Sequence, residues 1–91
     1  MTRVKVRVRV IAEALHMLAE SGVVHCGPAT VRAKLRTMSD DAYSFPWVKV
    51  PTETNISTLA RTHLPGVVGN DLVFDVAAGA AIYAAMMRRG S

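Results

Sequence analysis

Between Thr2 and Val10 the chain reads TRVKVRVRV, a strict alternation of polar or cationic residues with valine. Successive side chains of an extended strand point to opposite faces, so this pattern predicts an amphipathic N-terminal strand. Val4, Val6, Val8 and Val10 would line one face, while Arg3, Lys5, Arg7 and Arg9 would line the other. The valine face needs a core. The opposite face would be a row of four cations about 6–7 Å apart, given a rise of roughly 3.3 Å per residue. Such a row can follow a phosphate backbone, or it can be a solvated sheet edge whose charges deter edge-to-edge aggregation.

Ninety-one residues predict one domain, 1–91, with a single modest core. Half the residues are hydrophobic, which excludes disorder by composition, but they are mainly Val and Ala with few aromatics. Small side chains bury less area at about 25 cal/mol per Å², so a homodimer is the expected remedy for a marginal monomer. The net charge of +4 is unevenly spread: four cations and no acid lie in residues 1–10. Arg32, Lys34 and Arg36 add three more within five residues. Clustered basic charge favours a polyanionic partner such as duplex DNA. The lone Cys26 allows no internal disulfide and suits a reducing compartment. No secretory signal is visible, and the longest apolar run, residues 76–87, falls short of the ~20 residues that span a bilayer. The expected location is the cytoplasm, with no membrane partner.

The strand is predicted to lead into a helix over residues 11–21, where Ile11, Ala14, Leu15, Leu18 and Ala19 form one stripe and Gly22 is the stop. Pro28 opens a second helix, 28–37, with Val31 and Leu35 facing inward and Ser39-Asp40-Asp41 as its breaker. A third helix is expected over 55–63, capped by Thr52 or Thr54 and ended by Pro65-Gly66, with a turn at Gly69-Asn70-Asp71. The final stretch reads as a helix over at least 77–88. Residues 72–76 fit either its beginning or a strand, with Asp75 then capping a shorter helix. The fold class expected is therefore α/β in the α+β sense, with three to four short helices and a small two- or three-stranded sheet.

A basic strand followed by two short helices resembles the ribbon-helix-helix family of dimeric DNA-binding proteins. The residues carrying the resemblance are Arg3–Val10, LHMLAESG at 15–22 and GPATVRAKL at 27–35, within roughly the first 38 residues. The resemblance implies that Lys5, Arg7 and Arg9 enter the major groove. It also implies that the first turn of the second helix, around Ala29 and Thr30, holds phosphate on its backbone N–H groups. A helix-turn-helix is the other nucleic-acid pattern, with PATVRAKLR at 28–36 as recognition helix and helix 11–21 as its partner. The intervening Val23–Gly27 is longer than the usual three- or four-residue turn.

Tyr43, Phe45 and Trp47 alternate through AYSFPWVKVP and make either a cap on the core or a protein-binding hot spot. His16, His25, Cys26 and His63 lack metal-ligand spacing, and neither nucleotide-binding nor hydrolase motifs occur, so no metal, cofactor or catalytic residue is expected. The function expected is a small basic DNA-binding regulator. Its nucleic-acid contacts would be Arg3, Lys5, Arg7, Arg9, Thr30, Arg32, Lys34 and Arg36. The alternative is a non-enzymatic interaction or assembly protein, of the kind a phage or mobile element uses to dock on a host protein, through Tyr43–Trp47 or the Ala-rich last helix.

Overall fold

The computed structural model describes residues 3–39, 50–69 and 73–90. The chain order is α1 (Arg3–Glu20), β1 (His25–Cys26), α2 (Pro28–Ser39), α3 (Glu53–His63), β2 (Phe74–Asp75) and α4 (Val76–Gly90). Tyr43, Phe45 and Trp47 lie outside the described residues.

α1 is the central helix. Val8, Ile11, Ala12, Leu15 and Leu18 recur at three- and four-residue steps and are all buried, with Ala14 beside them. They meet Val31 and Leu35 of α2, Ile56 and Ala60 of α3, and Val76 of α4, with Phe74 fully buried between them. Gly22 adopts φ 89°, a left-handed conformation that ends α1 with little strain only at glycine.

The expected N-terminal strand is not formed, because residues 3–10 are the first half of α1. Two physical terms decide this. Valine in a helix costs only about half a kcal/mol against the best helix formers. An unpaired strand, by contrast, leaves its N–H and C=O groups without internal partners. The alternation also conceals a helical register, since Val8 lies three, four and seven residues before Ile11, Ala12 and Leu15. The row of four cations on one face therefore does not exist. At 100° per residue, positions 3 and 7 share one side of α1 and positions 5 and 9 another. The ribbon of the ribbon-helix-helix resemblance is lost with it.

The sheet is small. β1 and β2 pair antiparallel, His25 with Asp75 and Cys26 with Phe74. A third segment joins through the Val68–Phe74 bridge, so Phe74 is flanked on both sides. The Gly69 amide donates to the Val73 carbonyl at 2.9 Å, and the Asp75 amide donates to the Val67 carbonyl at 2.7 Å. Residues 67–69 and 73–75 are thus the two arms of a hairpin. The question left by residues 72–76 resolves toward the shorter helix: the Ala78 amide donates to Asp75 Oδ1 at 3.1 Å, and α4 starts at Val76.

α4 runs antiparallel to α1. Its Val76 amide donates to the Val24 carbonyl just beyond the end of α1, at 3.1 Å. From there it packs back along α1, with Gly79 against Leu15 and the Tyr83 ring 5.1 Å from His16. Among the described residues, no helix is long and apolar enough to cross a membrane.

Candidate nucleic-acid interface

α3 is built to show a polar face. Ile56, Ser57 and Ala60 are buried against the core, and Leu64 follows them one turn later. On the opposite side Thr54, Asn55, Thr58, Arg61 and Thr62 are exposed, at spacings of one, four, seven and eight residues from Thr54. Such an exposed side usually carries Lys–Glu pairs, whereas this one carries short hydrogen-bonding groups and a single cation.

The ends of α3 are well defined. Thr52 has extended backbone, φ −67° and ψ 163°, and its hydroxyl accepts from the Asn55 amide at 3.2 Å. Glu53 in the first turn suits the positive end of the helix dipole. The Thr58 hydroxyl donates to the Thr54 carbonyl at 2.9 Å, which leaves its lone pairs and methyl group facing outward. α3 and the hairpin that follows are four residues apart, because Leu64 closes the helix and Val67 already bonds to Asp75.

α2 supports α3 and is tied to it by Arg32. The Arg32 guanidinium donates through Nε to the Pro51 carbonyl at 3.1 Å, across the connection that leads into α3. Arg32 is half-buried in doing so, and part of its donor capacity goes to positioning α3. Arg36, four residues on, is exposed on the same side. Lys34 lies 200° round the helix from Arg32 and is half-buried, so the three α2 cations do not form one patch. Thr30 is exposed, but its amide donates to the Gly27 carbonyl at 3.1 Å. Of the α1 cations, Arg9 is exposed and Arg7 half-buried, while Arg3 and Lys5 belong to the first turns of the helix.

The residues singled out by charge thus fall on two helices and several faces, whereas the most coherent polar surface is on α3. Charge counting passes over that helix, because Glu53 and Arg61 cancel. The available signal was the composition of the outward stripe in ETNISTLARTH, rich in Thr and Asn at helical spacing.

The remaining polar groups have local roles. His16 Nε2 lies 3.2 Å from Glu20 Oε1 one turn along α1, and the His16 ring packs on Tyr83. Cys26 is half-buried in β1, and desolvation pushes its thiol pKa upward. Among the described residues, no three His, Cys, Asp or Glu side chains converge as a metal site would require. No protein-family model, curated protein or solved structure matches the chain.

Proposed function

We propose that this chain is a duplex-DNA-binding regulator in which α3 is the recognition helix, α2 is its support and the 67–75 hairpin flanks it. The observation that carries the reading is the exposed stripe Thr54, Asn55, Thr58, Arg61 and Thr62 on a helix seated by Ile56, Ser57 and Ala60. In helix-turn-helix proteins the second helix of the pair lies in the major groove and reads base edges near its N-terminal end. A helix about 10–12 Å across fits a groove about 12 Å wide. The chemistry of the stripe suits that place. Asn pairs bidentately with adenine, Arg does so with guanine, and Thr offers a hydroxyl together with a methyl group for thymine. The connection between α2 and α3, residues 40–52, is longer than the usual turn, and the Arg32–Pro51 bond gives it a fixed point. Net charge of +4 supplies the favourable background for a polyanion.

Eleven residues of helix extend about 16 Å and cover four or five base pairs. Two copies on adjacent half-sites are the expected assembly.

Selection from a randomised duplex library, followed by anisotropy titration, tests the reading. Four to six neutralised phosphates give a log K against log salt slope of about −4 to −5. Arg61→Ala and Asn55→Ala should each lose about 1–3 kcal/mol on the selected site and relax preference at one position. If the chain does not bind duplex DNA at low salt, the proposal is wrong. A protein that survives nuclease treatment as a stoichiometric partner would point instead to the adaptor function.

A further inference from the structure

The outward side of α3 has two flanks that offer different chemistry. At about 100° per residue, Thr54 and Arg61 lie within about 20° of one another, and so do Asn55 and Thr62. The two pairs are about 100° apart, with Thr58 midway between them. All five residues are exposed, while Ile56, Ser57 and Ala60 hold the opposite side against the core. The packing of α3 therefore fixes Thr58 as the middle of the outward face, with an arginine on one flank and an amide on the other.

These groups are not equivalent. The Thr58 hydroxyl spends its proton on the Thr54 carbonyl at 2.9 Å, so outward it presents a methyl group and lone pairs. The Asn55 side chain donates and accepts in one plane, which matches the donor and acceptor that adenine shows at N6 and N7. Its backbone amide donates to the Thr52 hydroxyl at 3.2 Å, which holds the first turn in place beneath it. The Arg61 guanidinium donates twice in one plane, which matches O6 and N7 of guanine. Side-chain length also rises along the helix, from Thr54 and Asn55 in the first turn to Arg61 in the last. The N-terminal end can thus come closest to a groove floor, and the long arginine bridges the wider gap at the other end.

We infer that Asn55 and Arg61 read an adenine and a guanine on opposite strands of one half-site, two or three base pairs apart. The inference rests on the function proposed above and assigns the bases within it. The strands follow from width. A helix about 10–12 Å across fills a groove about 12 Å wide, so with Thr58 toward the floor each flank meets the base edges of a different strand. The spacing follows from rise. Six residues separate Asn55 from Arg61, about 9 Å along the helix, against roughly 3.4 Å per base pair. One strand then carries the adenine and, two or three positions away, the cytosine that pairs with the guanine.

The test selects sites from a randomised duplex library with the wild-type chain, Asn55→Ala and Arg61→Ala, with thermal melts to confirm that each variant folds. The wild type should enrich an adenine and a guanine on opposite strands at the stated spacing. Asn55→Ala should relax the adenine alone and Arg61→Ala the guanine alone, each weakening the selected duplex by about 5- to 150-fold. The double variant should lose roughly the product of the two factors, since the side chains contact different bases. Replacing the adenine by 7-deazaadenine, which removes the N7 acceptor, should weaken the wild type and leave Asn55→Ala unchanged. A selected site with both bases on one strand, with another spacing or with neither base enriched overturns the inference and leaves the DNA reading standing. So do two Ala variants that relax the same position. A wild-type chain that binds no duplex at low salt overturns the DNA reading and the base assignment together.

Discussion

Gly79→Ala is the substitution whose sign tests the architecture. In an exposed helix the change stabilises by about 0.8–1.0 kcal/mol, because alanine is the better helix former. Gly79 is not exposed. A Cβ built on it would lie 2.8 Å from Leu15 Cβ and 3.1 Å from Leu15 Cγ, where ordinary contact begins at 3.4 Å. The α1–α4 pair would have to open locally by about 0.6 Å, or Leu15 would have to leave its position. Neither is easy, because Leu15 is fully buried and its Cβ is fixed to the helix backbone. Overpacking of this kind costs about 1–3 kcal/mol, which outweighs the propensity gain and leaves a net loss of about 1 kcal/mol. For a domain of this size that lowers Tm by about 4–8 °C, measured by circular dichroism at fixed protein concentration. Ala81→Gly, at an exposed position on the same helix, is the control and should cost about 1 kcal/mol by propensity alone. Leu15→Ala alone should cost about 2–5 kcal/mol. Combined with Gly79→Ala it should cost less than the sum, by about 0.5–3 kcal/mol, since the new methyl group occupies vacated space. A rise in Tm for Gly79→Ala would mean that propensity wins, and the close approach of α1 and α4 would be refuted.

Thr52→Ala removes the side chain that accepts from the Asn55 amide, and Asp75→Ala removes the carboxylate that accepts from the Ala78 amide. Each should cost about 1 kcal/mol in urea unfolding, whereas Gly at the same position should cost only a few tenths of a kcal/mol; no loss on the Ala substitution at either site would contradict the caps. Burial raises the Cys26 pKa, so the unfolded chain releases this proton first and the contribution to stability declines as pH climbs past 9.0. Alkylation by iodoacetamide should accordingly show a pH-rate midpoint above 9.0 in the folded chain, returning toward 9.0 in denaturant; a folded midpoint below that value is incompatible with a desolvated thiol in β1.

The elements set by punctuation were the most legible in the sequence. Gly22 ends α1, Pro28 opens α2, Thr52 caps α3, and Pro65-Gly66 follows its end, because each uses a backbone preference that tertiary contacts rarely override. Asp75 was legible only as one of two alternatives for residues 72–76, and its cap, which separates β2 from α4, decides between them. The N-terminal segment failed for a reason particular to valine. A valine every second residue fits a strand directly, yet in any such series some members also fall three, four or seven positions from a following helical stripe. Val8 does so with Ile11, Ala12 and Leu15, and the existing nucleus of α1 makes each added helical residue favourable. The hairpin was poorly legible: a turn was expected at Gly69-Asn70-Asp71, of which Asn70 and Asp71 lie outside the described residues, and arms as short as 67–69 and 73–75 leave almost no period-2 pattern to detect.

The proposed site was harder to read because charge and readout are different signals. Basic clusters are conspicuous in a sequence, and they report affinity for any polyanion. Discrimination between bases comes instead from hydrogen-bond donors and acceptors held at fixed positions, and Thr and Asn provide these without net charge. α3 became visible only once the buried side, Ile56, Ser57 and Ala60, showed which residues were left facing outward. The same division explains Arg32. By composition it is one more cation in α2, but its Nε bond to Pro51 spends it on the path of the chain into α3. On the proposed function, substituting it should therefore disturb sequence preference through the placement of α3.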